Sequence, residues 1–228
     1  MPQPSRRPSA RWRTARRPAS ASPPQTPVVR EPYDGDLEPD GDYDRLTLDG
    51  LDLRGQDARR ARFIECAVTG CALDDARLDG ADLVDTEITG SHAGTLTAPD
   101  SRWRDVVVGD CRLGALVAHG ATMTRVTVRG AKIDYLNLRG ARLEDVTLVG
   151  ATIGDLDLGG AMARRLVLED CRVGRLDLQG ATLVEADLRG ADLRRIDGVA
   201  GLAGATISEE QLASLAQVFA THLRVTVA

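Results

Sequence analysis

Aromatic side chains are scarce in this sequence, with two Trp, three Tyr and two Phe in 228 residues. A core built on large rings is therefore excluded, and packing has to be mainly aliphatic. Lysine is almost missing: Lys132 stands alone, so no Gly-rich phosphate loop with its Lys is present. No apolar run is long enough for a signal-peptide core or a membrane span, which points to a cytoplasmic protein with no membrane partner. The three histidines, His92, His119 and His222, are scattered, and no Ser, His and Asp set converges in the sequence frame. The four cysteines lack zinc-ligand spacing and no histidine accompanies a pair. No catalytic residue, cofactor or metal ligand is expected, and the chain reads as a non-enzyme.

What is present is unevenly spread. Nine of the ten prolines fall in the first 45 residues. Residues 1–30 hold seven Arg and no acid, and residues 31–44 hold seven acids and no base. With almost no aliphatic residues, such a segment has too little apolar surface to offset its ordering entropy. Residues 1–45 are thus expected to be a disordered arm, Arg- and Pro-rich and then acidic.

A strict period of five begins near Leu46. Counting from Leu48, every fifth residue to Leu193 is apolar, thirty positions without an insertion. In the clearest stretch these are Met123, Val128, Ile133, Leu138, Leu143, Leu148, Ile153 and Leu158. Two places before each sits a second apolar residue, alternately small (Ala121, Ala131, Ala141) and large (Val126, Leu136, Val146). Five fits neither a helix at 3.6 nor a strand at 2, so the segment is a repeat architecture of its own. One such unit buries too little to stand alone, and stacked neighbours must complete its core. Gly recurs at the last place of alternate units (Gly120, Gly130, Gly140, Gly150, Gly160), where a turn with positive φ is expected. Residues 91–100 read as the weakest part, because two centres shrink to Ala93 and Ala98 and Pro99 intrudes; a bend or thin core is expected there.

The units Ala81-Asp82-Leu83, Ala186-Asp187-Leu188 and Ala191-Asp192-Leu193 resemble the pentapeptide-repeat family, whose units read roughly A(D/N)LXX. The resemblance covers residues 46–195, about two thirds of the chain. It implies an all-β fold, a right-handed quadrilateral β-helix in which four pentapeptides make one 20-residue coil. On that coil, residues 46–197 form the solenoid and residues 198–228 a C-terminal element. Central residues and those two places earlier point inward. All four cysteines, Cys66, Cys71, Cys111 and Cys171, take the small inward position and read as core thiols rather than disulfide partners.

Beyond Arg195 the frame dissolves in Gly198, Gly201 and Gly204. Ser208 offers an N-cap, Glu209 and Glu210 fill the first turn and Gln211 takes the capping-box place. A helix is expected over residues 209–220, with an apolar stripe of Leu212, Leu215, Ala216 and Phe219. It is expected to cap the open end of the solenoid, and Leu212, Leu215 and Phe219 are also the candidates for a homodimer contact. Leu223, Val225 and Val227 alternate like a short terminal strand.

Mapped on a 20-residue coil, one corner column reads Glu65, Asp85, Asp105, Arg125, Asp145, Arg165, Glu185. The acids Glu65, Asp85, Asp105, Asp145 and Glu185 are the candidate interaction strip, and the alternating signs from Asp105 onward suggest a ladder of ion pairs. The leading functional reading is a scaffold or protein-interaction module for an unknown protein partner. The alternative, implied by the family resemblance, is a DNA mimic that binds DNA gyrase or another type II topoisomerase. Residues 46–195 carry 24 acids and 20 bases, a weak excess for such a mimic. Nucleic-acid binding through the Arg-rich arm, with Trp12 stacking on a base, is a third class. The adjacent acidic run competes for those arginines and argues against it.

Overall fold

The computed structural model describes residues 28–226. The chain winds as a parallel β-solenoid of about eight turns. Nearly every strand pairs with the strand twenty residues on: Phe63 with Leu83, Leu83 with Trp103, Trp103 with Met123, and Met123 with Leu143. Corners every five residues give each coil four faces. We call them first to fourth after the central residues of one turn: Met123, Val128, Ile133 and Leu138. Strands such as Thr122–Arg129 run through a corner from the first face to the second, and strands such as Lys132–Asn137 leave the third. At a strand spacing of about 4.8 Å, eight turns make a rod on the order of 35 Å long.

The inward register follows the period of five. Of the thirty central positions, twenty-nine are buried; Leu193, in the last turn, is half-exposed. The glycines expected in left-handed turns are there, with φ of 69° at Gly120 and 64° at Gly140. A second set has another reason. Gly114, Gly154 and Gly174 sit on the third face with ordinary φ, and a Cβ on each would lie 2.5 Å from the carbonyl oxygen one coil earlier. There the backbones approach too closely for any side chain.

The segment 91–100 keeps the frame. His92–Thr97 is a regular strand, Ala93 and Ala98 are buried, and Leu96 fills the inward place between them. Trp103, in the same turn of the coil, is 2% exposed and supplies the volume that two alanines leave. Its indole N–H donates to Ser101, whose hydroxyl donates to the Ala98 carbonyl. Pro99 costs no ladder bond either. At the equivalent places in other coils, the N–H of Arg59, Arg139, Gly159 and Gln179 bonds to the side chain two residues earlier and not to a neighbouring coil. Proline removes a donor the ladder does not use.

The N-terminal boundary also differs from expectation, since residues 31–45 are ordered. Glu31–Pro32 pairs with Leu46–Asp49 at an offset of fifteen, and Asp42–Asp44 pairs with Arg62–Ile64 at twenty. The chain between them cuts across the open end of the solenoid, skipping one face. Leu37 and Tyr43 are thereby buried; Tyr33 meets Tyr43 edge to face, and Tyr43 stacks on Phe63. The aromatic cluster supplies the apolar burial that the aliphatic count of this segment failed to show. Gln56 fastens the crossing: its carbonyl oxygen accepts from the Leu37 N–H and its amide donates to Asp36. The arm expected over residues 1–27, including Trp12, lies outside the described residues.

At the other end, a 3-10 helix, Val199–Leu202, crosses the last coil and is followed by α1, Glu209–His222. The capping box of Ser208 and Gln211 is formed. Gln211 also donates to the carbonyls of Leu188 and Ala191; the Ala191 carbonyl has no further coil to bond, whereas the Leu188 carbonyl also accepts from the Ala191 N–H. Leu215 is buried, with Val218 and Phe219 half-buried on the core. The terminal strand expected at Leu223 and Val225 does not form. Leu223 is the helix C-cap and Arg224 turns left-handed at φ 56°, so no extended run develops in the described residues; Val227 lies outside them.

Two outcomes test this fold. Leu138→Asp buries a charge with no partner and should cost about 4 kcal/mol or more, whereas outward Thr147→Asp should cost about 1 kcal/mol or less, read by urea denaturation. Gln211→Ala should destabilise by about 1–3 kcal/mol, because the Ala191 carbonyl at the coil end loses its donor.

Candidate functional site

The predicted corner column lies where the first face turns into the second. All seven residues, from Glu65 to Glu185, take left-handed φ between 49° and 57°. A side chain at such a corner points away from the core, and the next in the column lies about 4.8 Å along the rod. The expected ladder forms as separate pairs. Arg125 holds Asp105 through two hydrogen bonds of 2.6 Å, and Arg165 holds Asp145 at 2.5 and 2.8 Å and also reaches Glu144. Each Arg reaches the acid twenty residues before it. The same rule joins Arg60 to Asp40, Arg62 to Asp42, Arg102 to Asp82 and Arg175 to Asp155. A second rule joins Arg to the Asp two residues earlier on the same face, as in Arg54–Asp52, Arg59–Asp57 and Arg189–Asp187.

Pairing therefore divides the candidate acidic strip. Asp105 and Asp145 are neutralised, whereas Glu65, Asp85 and Glu185 form no ion pair among the described residues. Burial pushes the Asp85 carboxyl above the ordinary carboxylate range, helped by the charges of Asp105 and Glu65, and Arg104 only partly offsets them. At Asp52 the opposite holds: Arg54 brings the carboxyl down to about 2 through its side-chain hydrogen bonds. The four thiols are free and buried, and each donates to a carbonyl of the preceding coil, Cys66 to Tyr43 and Cys171 to Leu148. Burial raises their pKa values, which keeps them as neutral core thiols. Among the described residues no group of His, Cys, Asp and Glu could hold a metal.

The feature that the charge map of the corner missed lies beside it, on the outer surface of the first face. A shallow groove of about 380 Å³ runs there, lined by Ile64, Val84, Arg102, Arg104, Thr122 and Thr124 among others, with Trp103 beneath. Arg102 is tied to Asp82, but exposed Arg104 has no side-chain hydrogen bond or ion pair among the described residues. Further along the same face Arg142 and Arg164 are equally free, and Met162 (51% exposed) and Val184 (45%) project outward. The signal was in the sequence, in the column Ile64, Val84, Arg104, Thr124, Glu144, Arg164, Val184. It becomes visible only when the residues flanking each centre are stacked in steps of twenty.

At the capping helix the predicted trio separates. Leu215 is consumed by the cap, Phe219 is half-buried, and Leu212 is 53% exposed. Leu223 and Val225 are exposed beside it in sequence. No helix among the described residues is long and apolar enough to cross a membrane.

A rod of stacked five-residue units, closed by a cap at each end, defines a repeat scaffold of the β-solenoid class. The pentapeptide-repeat family model matches residues 59–92 and 164–197, with eight copies, and the chain belongs to the pentapeptide-repeat family. Among solved structures, a trypsin-treated variant of QnrB1, a plasmid-mediated fluoroquinolone resistance protein, is 14% identical with a TM-score of 0.37, over 87% of this chain and 99% of that one. Full-length QnrB1 is 14% identical with a TM-score of 0.34, over 78% and 99%. HetL, a pentapeptide-repeat protein involved in heterocyst differentiation regulation from the cyanobacterium Nostoc sp. strain PCC 7120, is 17% identical with a TM-score of 0.31, over 75% and 90%. A search of curated proteins finds no match.

One pH dependence follows from Asp85. Its folded pKa is raised, so it favours the folded state only when protonated, below the ordinary Asp value, and that contribution is lost as pH rises through the folded value. Asp85→Asn should therefore raise the urea midpoint at pH 7, and the gain should vanish as the pH is lowered towards 3.8. An equal gain at both pH values would show that the carboxylate charge is not the cause.

Proposed function

We propose that this protein is a non-enzymatic scaffold whose rigid rod presents a side-chain pattern to another protein. The single observation that carries this is the pairing of exposed charges along the rod, which leaves one face with a groove, free arginines and outward apolar side chains. A buried, solvent-excluded centre of converging polar groups, such as an enzyme needs, has no counterpart in the geometry described above. The partner is a protein, and nucleic acid is not the expected ligand.

The alternative, a DNA mimic acting on gyrase or another type II topoisomerase, requires dense negative charge along the rod. Here Asp105 and Asp145 are neutralised by Arg125 and Arg165, and the adjacent face carries free cations. The purified protein is therefore expected not to inhibit gyrase supercoiling at micromolar concentration. Inhibition that Asp85→Lys abolishes would reverse the choice between the two readings.

The exposure of Leu212 on the capping helix supports a further part of the proposal, the pairing of two copies through α1. Sedimentation should show a dimer that Leu212→Glu splits, whereas Leu215→Ala lowers stability without changing the mass of the assembly. A monomer at every concentration would refute it.

A further inference from the structure

We infer that the first face of the rod is a docking strip for an extended acidic peptide segment that also carries apolar residues, belonging to the partner protein. The inference rests on the scaffold reading and adds which face is used and what chemistry it accepts. Five observations converge on this face. The groove of about 380 Å³ lies on it. Arg104, Arg142 and Arg164 project from it with no ion pair among the described residues, while most other arginines of the rod are tied to an Asp two or twenty residues earlier. Thr122 and Thr124 form a low step between the rows of Arg102 and Arg104 and of Arg142, so a chain can lie between guanidinium groups on either side. Ile64 and Val84 floor one end of the groove. Met162 and Val184, the two large hydrophobics of the repeat body that are strongly exposed, stand at the other end of the same face.

Other faces lack this combination. The third face has free Arg112, Lys132 and Arg172, but Asp110, Asp134 and Asp170 stand within its own rows, and its column of glycines offers no side chains to grip. On the fourth, Arg59, Arg77 and Arg139 are all paired.

The dimensions select a peptide over a globular surface or a second copy. Three extended residues span about 10 Å across a face, and eight rows about 35 Å along it, which gives roughly 350–400 Å². A stable protein–protein interface buries about 800 Å² per partner, so the face is too narrow for a flat dimer contact. It suits a single strand-like segment. From Arg104 to Arg142 is two coils, about 10 Å, and Arg164 lies one coil further, about 5 Å. An extended chain covers that 15 Å in four to five residues at about 3.3 Å each, so acids at alternate positions meet the three guanidinium groups. The residues between the acids face solvent. The segment's apolar side chains therefore take the inward places before and after the acids, against Ile64 and Val84 at one end and Met162 and Val184 at the other. These four favour a polypeptide over a nucleic acid strand.

Fluorescence anisotropy of the full chain tests this, with a fluorescein-labelled ten-residue peptide as the probe, its inward alternate places filled by Glu or Asp in the middle and by Val or Leu towards both ends, with Thr between. Binding should weaken at least tenfold in Arg104→Glu/Arg142→Glu/Arg164→Glu and on raising the salt from 50 to 500 mM. It should stay within twofold in Arg112→Glu/Arg172→Glu, which alters the third face. Circular dichroism checks that the variants keep the fold, and Met162→Ala/Val184→Ser should weaken binding without changing the salt dependence. Equal binding by the wild type and the first-face variant, no binding by the wild type, or tighter binding of a single-stranded oligonucleotide would overturn the inference. A photo-crosslinking residue placed in turn at Thr124, Thr147 and Lys132, with a cell extract, separates the two levels. Adducts from Thr147 or Lys132 alone would overturn the docking strip and leave the scaffold standing; no protein adduct from any face would overturn the scaffold reading as well.

Discussion

Each coil takes its backbone partners from the coil before and the coil after it, twenty residues away in either direction. This register is the constraint from which the rest of the molecule follows. A residue has no choice of neighbour along the rod: its side chain stands over the one twenty places earlier and under the one twenty places later. Inside, that rule stacks aliphatic centres into columns, and a charge there would have no partner within reach. Outside, it makes an Asp and an Arg twenty residues apart into a pair, as at Asp105–Arg125 and Asp145–Arg165. Exposed pairs on the same rule, such as Asp82–Arg102, contribute at most about 1 kcal/mol each, whereas Asp145 is buried and its pair with Arg165 is largely shielded from water. The larger consequence of all these pairs is to cancel the charge that a partner could feel.

The same ladder creates a problem at each end, where strands have no further coil and an open sheet edge invites aggregation. The two solutions share a device. Gln56 at the N-terminal end and Gln211 at the C-terminal end each fasten a covering segment through the side-chain amide, one to Leu37 and Asp36, the other to Leu188 and Ala191. A Gln side chain carries both a donor and an acceptor on a flexible stem, so it can serve a cap and a coil at once. Apolar closure then differs between the ends: Tyr33, Tyr43 and Leu37 at one, Leu215, Val218 and Phe219 at the other.

Binding capacity on such a rod arises where the pairing rules are left incomplete. On the first face Arg104 stands under Thr124 and over Val84, and Arg164 stands under Val184 and over Glu144, whose carboxylate is engaged by Arg165. Arg164 has no free acid at the distance of one coil, and Arg104 only partly offsets the charge of Asp85 without forming an ion pair. The proposed recognition thus depends on exceptions to the rod's own surface pattern, held in place by a core that has almost none.

The sequence by itself determined the solenoid. Thirty apolar centres in one frame, the left-handed glycines and the capping box of Ser208 and Gln211 were all legible, because each depends on contacts within a few residues or on strict repetition. Tertiary structure decided what depends on distance along the rod. Residues 31–45 look too polar to fold alone, yet Tyr33, Leu37 and Tyr43 become core once the first coil offers its open end. Ala93 and Ala98 look like a weak turn until Trp103 is placed in the same layer, and Pro99 looks disruptive until the N–H it lacks proves to be one that the ladder does not use. The acidic column read from Glu65 to Glu185 was real as a column and divided as a surface, because a guanidinium reaches one coil and selects a single neighbour. Which charges stay free is a property of reach and direction, and only the folded rod fixes both.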